Sequence, residues 1–240
     1  MEENQIIFTG GSGLLGSEIK ALLPKAFYPS SVAFNVTDYQ QMQDYLKDKK
    51  ISLIIHAAAF TSPPSVDKNP EKAIDANIIG TSNIVKLCLN NQIKLIYIST
   101  DYVFKGDKGN YKENSPVSPV NKYAWSKLGG ECAVKMYDDS LIIRTSFGPN
   151  EFPYPKAFID QWTTRETVKN IARKVVTLVD KNITGIVHIG GKRQTVYEYA
   201  KSLDDKKEIG QLSINDIPFD VPKDTSLCST YYDDIIKGKK

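Results

Sequence analysis

The chain has 240 residues, 41% of them hydrophobic and 25% charged, with a formal net charge of +3. That size and texture describe a folded globular chain of one large domain or a little more, and they exclude an intrinsically disordered one. So small a net charge argues against nucleic acid as a partner, and the lysines at Lys47 to Lys50 and at Lys237, Lys239 and Lys240 read as a solvated helix end and a tail.

No apolar run approaches the roughly 20 residues that a bilayer span needs, so no membrane is expected as a partner. The segment Met1 to Gln5 is acidic and shows no secretory signal. Cys88, Cys132 and Cys228 are far apart and form no C-x-x-C pair, and His56 and His188 are not spaced as ligands. The expectation is a reduced, cytoplasmic protein without a metal.

Taken in chain order, short apolar runs alternate with longer helical patterns. The first strand is expected at Ile6-Ile7-Phe8, and Thr9-Gly10-Gly11-Ser12-Gly13-Leu14-Leu15-Gly16 follows it directly. A helix then runs through Glu18 to Leu23, and a second through Tyr39 to Lys49. Further strands are expected at Leu53-Ile54-Ile55, Leu95-Ile96-Tyr97-Ile98, Leu141-Ile142-Ile143 and Ile186-Val187-His188-Ile189, with helices at Ala76 to Leu89 and Tyr123 to Met136. Strands that are short, continuous and β-branched are buried on both faces of a parallel sheet. In the Ala76 helix, Ile84, Val85 and Cys88 recur at helical spacing and give one face to cover that sheet. The expected fold is therefore α/β, a doubly wound parallel sheet of the Rossmann type. The texture changes after about Arg144, where Phe147 to Pro155 hold three prolines and helical pattern resumes only near Thr164. We expect a cofactor-binding domain over 1–149 and a small substrate-binding part over 150–240, partly interleaved with it.

Gly10, Gly13 and Gly16 make G-x-x-G-x-x-G between the first strand and the first helix. A pyrophosphate site needs that arrangement, a tight turn followed by free N–H groups at a helix N-terminus. At the end of the Leu53 strand, His56-Ala57-Ala58-Ala59 offers small side chains where open α/β sheets bind ligands; His56 reads as packed rather than as a base. The second-strand carboxylate that would hold an NAD ribose is missing from Phe27-Tyr28-Pro29-Ser30-Ser31, and Lys25 lies near. Removing that carboxylate removes repulsion of a 2′-phosphate, and serines can donate to one. NADP(H) is the favoured cofactor, with NAD(H) the alternative.

A Tyr-x-x-x-Lys pair on a helix sets a phenol and an ammonium on one face, where the charge lowers the phenol's pKa for proton transfer. With 13 tyrosines in a lysine-rich chain, the spacing alone means little. Three pairs occur, Tyr45/Lys49, Tyr123/Lys127 and Tyr197/Lys201. Only Tyr123/Lys127 opens a helix after a strand ending in Ser99-Thr100-Asp101, whose hydroxyls stand at the carboxyl edge of the sheet. The other two read as solvated helix faces.

At this point the residues carry a resemblance. Ser99-Thr100-Asp101-Tyr102-Val103-Phe104, with Gly106, resembles the S-T-D-Y-V-F-x-G signature of the dTDP-4-dehydrorhamnose reductase family. So does Pro119-x-Asn121-x-Tyr123-Ala124-x-Ser126-Lys127-Leu128-x-Gly130-Glu131, apart from Ala124 where glycine is usual. His56-Ala57-Ala58-Ala59-x-Thr61, Asn77-x-x-Gly80-Thr81, Arg144-Thr145-Ser146 and, more weakly, Asp160-Gln161 with Thr164 are similar as well. The resemblance covers most of the chain and implies an extended short-chain reductase of a 4-keto nucleotide sugar. In it Thr100, Tyr123 and Lys127 are the catalytic set: Tyr123 protonates the nascent oxygen, Thr100 hydrogen-bonds it, and Lys127 holds the ribose and lowers the tyrosine pKa. Cofactor contacts are implied at Gly10, Gly13, Leu14, Leu15, Gly16, Ser30, Ser31, Asn35, Val36, Ala57, Ala58, Ala59, Thr61, Asn77, Ser99, Tyr123, Lys127 and Ser146. Substrate contacts are implied at Val103, Phe104 and Asn121.

Two departures stand out. The region before Asn35-Val36-Thr37-Asp38 is compressed, with Asn35 where aspartate is usual, and Ser146 to Asp160 is too short for the usual helix and strand of the sugar pocket. That stretch and its sequel hold Phe152, Tyr154, Phe158 and Trp162. We expect Trp162 to stack on the substrate and Arg165 to meet its diphosphate. Two other readings remain, a sugar-nucleotide epimerase or dehydratase and a non-catalytic NADP-binding regulatory subunit. The intact Thr100, Tyr123 and Lys127 weigh against the subunit, and Tyr102 where a dehydratase carries glutamate weighs against that activity. By analogy with the superfamily, the Ala76 and Tyr123 helices leave a homodimer open.

Overall fold

The structure is a computed structural model that describes residues 2–218 and 221–238, so Lys239 and Lys240 of the lysine-rich tail lie outside the described residues. In chain order come β1 (Ile6–Thr9), α1 (Leu14–Leu22), α2 (Tyr39–Leu46), β2 (Leu53–His56), α3 (Pro63–Lys68) and α4 (Pro70–Ala73). A π-helical turn (Ile74–Ile79) carries α4 into α5 (Gly80–Asn91), followed by β3 (Lys94–Thr100), α6 (Lys122–Val134) and β4 (Ser140–Thr145). Four short strands follow, β5 (Phe147–Gly148), β6 (Lys156–Phe158), β7 (Trp162–Thr163) and β8 (Glu166–Thr167). The chain continues through α7 (Val168–Val179), β9 (Gly185–Ile189), β10 (Gln194–Thr195), α8 (Val196–Leu203), β11 (Gly210–Leu212) and α9 (Thr230–Ile236).

The five apolar runs expected as strands pair in parallel in the order β1-β2-β3-β4-β9. Successive side chains of a strand point to opposite faces, so each run needs a cover on both sides. Ile6, Phe8, Ile55, Ile96, Ile98 and Ile143 pack on one face with Leu15 and Ile19 of α1 and with Ile171, Val175 and Leu178 of α7. Ile7, Ile54, Leu95, Tyr97 and Ile142 pack on the other with Met42 of α2 and with Ile84 and Cys88 of α5. Helices α1 and α7 thus share one face, α2 and α5 the other, and the sheet is covered on both sides. Three helix starts have a side-chain cause: Asp38 caps α2, Asn121 caps α6 and Thr167 caps α7, each accepting from a backbone N–H of the first turn.

The compressed region after α1 leaves a second strand of one residue. Phe27 bridges Ile7 in parallel, donating to the Ile6 carbonyl at 2.8 Å while its own carbonyl accepts from Phe8 at 2.9 Å. The chain therefore leaves β1 to one side and returns to β2 on the other. That reversal opens a crevice at the carboxyl ends of the strands, where ligands bind in open α/β sheets.

Beyond β4 the small strands pair among themselves: β5 with β8, β6 with β11, β7 with β10. The stretch expected to lack the usual strand carries two short ones, β5 and the three residues of β6, the latter held by β11. A strap at 222–228 is woven between two loops. It donates from Asp224 to the Gly106 carbonyl and from Cys228 to the Tyr111 carbonyl, and its Lys223 carbonyl accepts from Trp162 at 2.7 Å. No helix among the described residues is long and apolar enough to cross a membrane.

Candidate active site

At the carboxyl ends of β1 to β4 lies a cleft of about 430 Å³. Its first wall is backed by a glycine loop. Gly10 has φ +82°, a conformation that side chains oppose, and a Cβ there would stand 2.8 Å from the Ala58 nitrogen. A Cβ on Gly16 would stand 2.4 Å from the Gly10 carbonyl oxygen. The loop can therefore fold tightly back on the first turn of α1, whose N-cap, Gly13, offers no side chain to the helix N–H groups. Leu14, Ala57, Ala59 and Thr61 line the cleft, and Ala58 is half-buried behind them, its N–H donating to Thr9. The side chain of Leu15 instead enters the core under the sheet, so only its backbone faces the loop. This cradle of glycines and unused N–H groups fits a pyrophosphate and, with it, a dinucleotide.

Other expected cofactor residues stand back from the opening. Asn77 is fully buried, its amide engaged with the backbone of Phe60 at both ends and with the Ser126 hydroxyl at 2.8 Å. It ties the loop after β2 to α6 and has no group left for a ligand. Asn35 is taken up by Thr37, whose N–H and hydroxyl both donate to its side-chain oxygen, and Val36 packs against Gly80 of α5. Ser30 and Ser31 are exposed just past the Phe27 bridge, where the sequence placed them. His56 is fully buried between the hydroxyls of Thr9 and Thr81, and burial pushes its pKa down to about 3, so it is a neutral packed residue.

Ser99, Thr100, Tyr123, Lys127 and Ser146 meet in the same cleft. Thr100 ends β3, and Tyr123 and Lys127 lie one turn apart on α6, which packs along β3. The expectation that the lysine lowers the phenol is not met here. Burial pushes the Tyr123 phenol well above its ordinary value, and the hydrogen bond with Thr100 is what draws it back. Lys127 is itself 3% exposed, and burial brings its pKa down to about 7. Its ammonium donates to the Ile98 carbonyl at 2.8 Å and sits 4.1 Å from the Tyr97 ring centre. The other two pairs stay out of the cleft: Lys49 folds over its own Tyr45 ring, and Lys201 donates to the Asp205 and Lys207 carbonyls.

Behind this set, Glu131 and Arg144 form a buried ion pair at 2.7 Å, with the Ser99 hydroxyl donating to Glu131 at 2.6 Å. A buried pair of this kind is costly to break from one side, about 3–5 kcal/mol. It locks α6 to β3 and β4, and so fixes Tyr123 and Lys127 relative to Thr100.

On the substrate side the structure corrects four expectations. Val103 and Phe104 are fully buried, and Phe104 stacks on Tyr111 at 4.3 Å, so both are core. Asn121 is engaged as the cap of α6, accepting from Ala124 at 2.9 Å, outside this cleft. Trp162 pairs in β7 with Thr195 and stacks under Arg193 at 4.0 Å, also outside it. Arg165 does line the cleft, and its Nε is buried without a hydrogen-bond partner among the described residues. In the place expected for Trp162, Phe152, Tyr154 and Tyr199 form the aromatic wall. A Cβ on Gly148 would lie 3.5 Å from the Tyr199 hydroxyl and 3.6 Å from Cδ of Arg165, so the two side chains converge there. The Tyr199 hydroxyl and that of Thr145 are likewise buried without partners.

Sequence reasoning passed over Tyr199, which follows Val196 by three residues on the buried stripe of α8 and looks like core. It also left Asp101 and Tyr102 without a role, although both line the cleft beside Thr100.

Residues 4–223 match the family model described as the RmlD substrate binding domain. Among solved structures, the chain is similar to a hypothetical dTDP-4-dehydrorhamnose reductase from Sulfolobus tokodaii, with 30% identity, 96% of this chain and 94% of that one covered, and a TM-score of 0.84. It is also similar to dTDP-4-dehydrorhamnose reductase from Bacillus anthracis in complex with NADP, with 25% identity, 92% and 89% covered, and a TM-score of 0.85. A curated relative, methionine adenosyltransferase 2 subunit beta of Xenopus laevis, is 30% identical over 83% of this chain and 71% of its own.

Proposed function

The chain belongs to the family of the RmlD substrate binding domain, and from that premise we propose that it is an NADPH-dependent reductase of a 4-keto sugar carried on a nucleoside diphosphate, as in dTDP-4-dehydrorhamnose. The observation that carries this reading is the convergence of Thr100, Tyr123 and Lys127 in one cleft beside the glycine cradle. The NADP held by the Bacillus anthracis relative supports the phosphorylated cofactor, in keeping with a ribose end that has Ser30 and Ser31 and no carboxylate.

When bound, the nicotinamide cofactor supplies a hydride to the keto carbon. The protein's own residues manage the oxygen. Tyr123 stays protonated at neutral pH because burial raises its pKa, which suits a general acid that must deliver a proton to the nascent alkoxide. Thr100, next to it, is the hydrogen-bonding group for the same oxygen. Lys127, anchored on the Ile98 carbonyl, holds the cofactor ribose in this reading. Arg165 offers a guanidinium to the diphosphate, with Tyr154 and Tyr199 walling the sugar. Residues 1–149 would then supply the cofactor half and 150–240 the substrate wall.

The similarity to the methionine adenosyltransferase subunit supports a second reading, a cofactor-binding partner subunit without turnover. Cofactor oxidation over a panel of 4-keto nucleotide sugars decides between the two. Turnover on one of them supports the reductase, and NADPH binding without turnover on any favours the subunit. A homodimer would cover the exposed Ile74, Ile79, Leu89 and Trp125, and light scattering tests it.

A further inference from the structure

Thr100 has one hydroxyl proton and several neighbours that call on its oxygen. Its Oγ1 donates to Oδ1 of Asp101 at 3.2 Å, accepts from the Tyr102 N–H at 3.2 Å, and shares a hydrogen bond with the Tyr123 phenol. A carboxylate only accepts, so the ionised Asp101 takes the Thr100 proton and leaves lone pairs toward the cleft. Negative charge developing on a substrate oxygen needs the opposite, a donor. A neutral Asp101 can donate to Thr100 and return that proton to the cleft.

The second oxygen of the same carboxyl is held from far along the chain. Oδ2 accepts from the hydroxyl of Thr225, in the strap, at 2.5 Å, and both residues are 2% exposed. Burial pushes the Asp101 pKa up to about 6, against the pull of Thr225, Arg165 and Thr100. The other titratable groups facing it are Tyr102 on its own turn and Tyr123 on α6, both raised by burial and so neutral. Arg165, from the β7–β8 connection, is the cation that favours the ionised form. It is also the group assigned to the substrate's diphosphate. A bound dianion would cancel its pull and add repulsion, and both effects favour protonation of Asp101.

We propose that Asp101 is a positioning residue that takes a proton from solvent when the anionic substrate binds, reversing its hydrogen bond with Thr100 so that Thr100 donates into the cleft, while Thr225 holds the carboxyl in register. This rests on the reductase reading for the oxygen that Thr100 serves, but the proton uptake is measurable without turnover.

Carboxyl-carbon NMR of the full chain, with Asp101→Asn identifying the resonance, follows the titration with and without thymidine diphosphate as the probe. The midpoint should lie near 6 in the free protein and rise by roughly half a unit or more with the probe. A midpoint that the probe leaves in place, or lowers, overturns the proposal. In turnover the required form is the neutral one, so the wild type should slow as pH rises through the Asp101 ionisation. Asp101→Asn presents a permanent donor to Thr100 and should outpace the wild type several-fold at about pH 8, where the acid is ionised. Thr225→Val removes a donor that holds the ionisation down, so the fall should move to higher pH, and Thr225→Ser should restore it. A roughly hundredfold loss of kcat in Asp101→Asn at unchanged Tm would make the carboxylate the working form and sink the idea. Absence of wild-type turnover on every nucleotide sugar would instead sink the reductase reading, and the NMR titration would still decide the proton uptake.

Discussion

On the side of the cleft that the proposed cofactor would occupy, the parts in and behind the wall are backbone: a glycine at φ +82°, a helix start without a capping side chain, and alanines at a strand end. The opposite wall is made of side chains from separate segments, with Phe152 and Tyr154 from a loop, Arg165 from between two short strands and Tyr199 from α8. The first wall leaves its free N–H groups at a helix N-terminus. The second keeps polar atoms of Arg165, Tyr199 and Thr145 buried with no hydrogen-bond partner among the described residues, groups that a polar ligand can engage. Shape recognition and polar recognition are thus divided between the two sides, and Thr100 and Tyr123 stand at the seam.

The largest effect should come from the seam itself. Tyr123→Phe removes the proton donor and nothing from either wall, so kcat should fall by roughly 10² to 10⁴. Its NADPH dissociation constant, read by fluorescence titration, should stay within about threefold of the wild type. Near-normal turnover in this variant would shift the reading to the partner subunit.

The cofactor wall breaks next. Gly10→Ala puts a Cβ into Ala58 and a side chain at positive φ, a strain on the order of 1–3 kcal/mol before the clash is counted. NADPH affinity should fall by up to about a hundredfold and Tm should drop. The substrate wall is expected to be more forgiving. Arg165 is half-buried, so Arg165→Ala should raise KM for the nucleotide sugar about tenfold, the lower end for a charge-assisted contact, with NADPH binding unchanged. An equal loss of NADPH affinity would place Arg165 on the cofactor instead.

The division also explains what could be read from the chain. The five strands, the helices that cover them and the glycine cradle were legible because burial on two faces and close backbone approach each restrict residue type at fixed spacing. That Thr100, Tyr123 and Lys127 meet in one cleft could be read from context, a strand end followed by a helix start. Asn77, Val103, Phe104 and Asn121 were assigned to ligands because they belong to a recognisable motif, yet the motif includes residues that build the site as well as residues that touch its contents. Asn77 staples a loop, Asn121 caps a helix, and Phe104 packs on Tyr111. The substrate wall was illegible for another reason: Tyr199 reaches Gly148 only through the tertiary pairing of β5 with β8 and the docking of α8. Nothing local in Val196 to Leu203 marks it out from a core tyrosine.

The smallest effect on catalysis should come from the residue that local reasoning favoured most. Trp162 lies outside the cleft, paired with Thr195, bridged to Asp224 and covered by the Arg193 guanidinium, which itself pairs with Asp224 at 2.6 Å. Its indole is a packing surface for a cation already neutralised, so truncation should loosen the strap through Asp224 rather than open a substrate pocket. Trp162→Ala is therefore expected to cost about 2 kcal/mol, near the low end for losing a large aromatic because the ring is only half-buried. The loss would appear as a Tm lower by several degrees. KM for the nucleotide sugar should be unchanged in the folded fraction. If KM rises while Tm holds, the wall extends past Arg165 to β7.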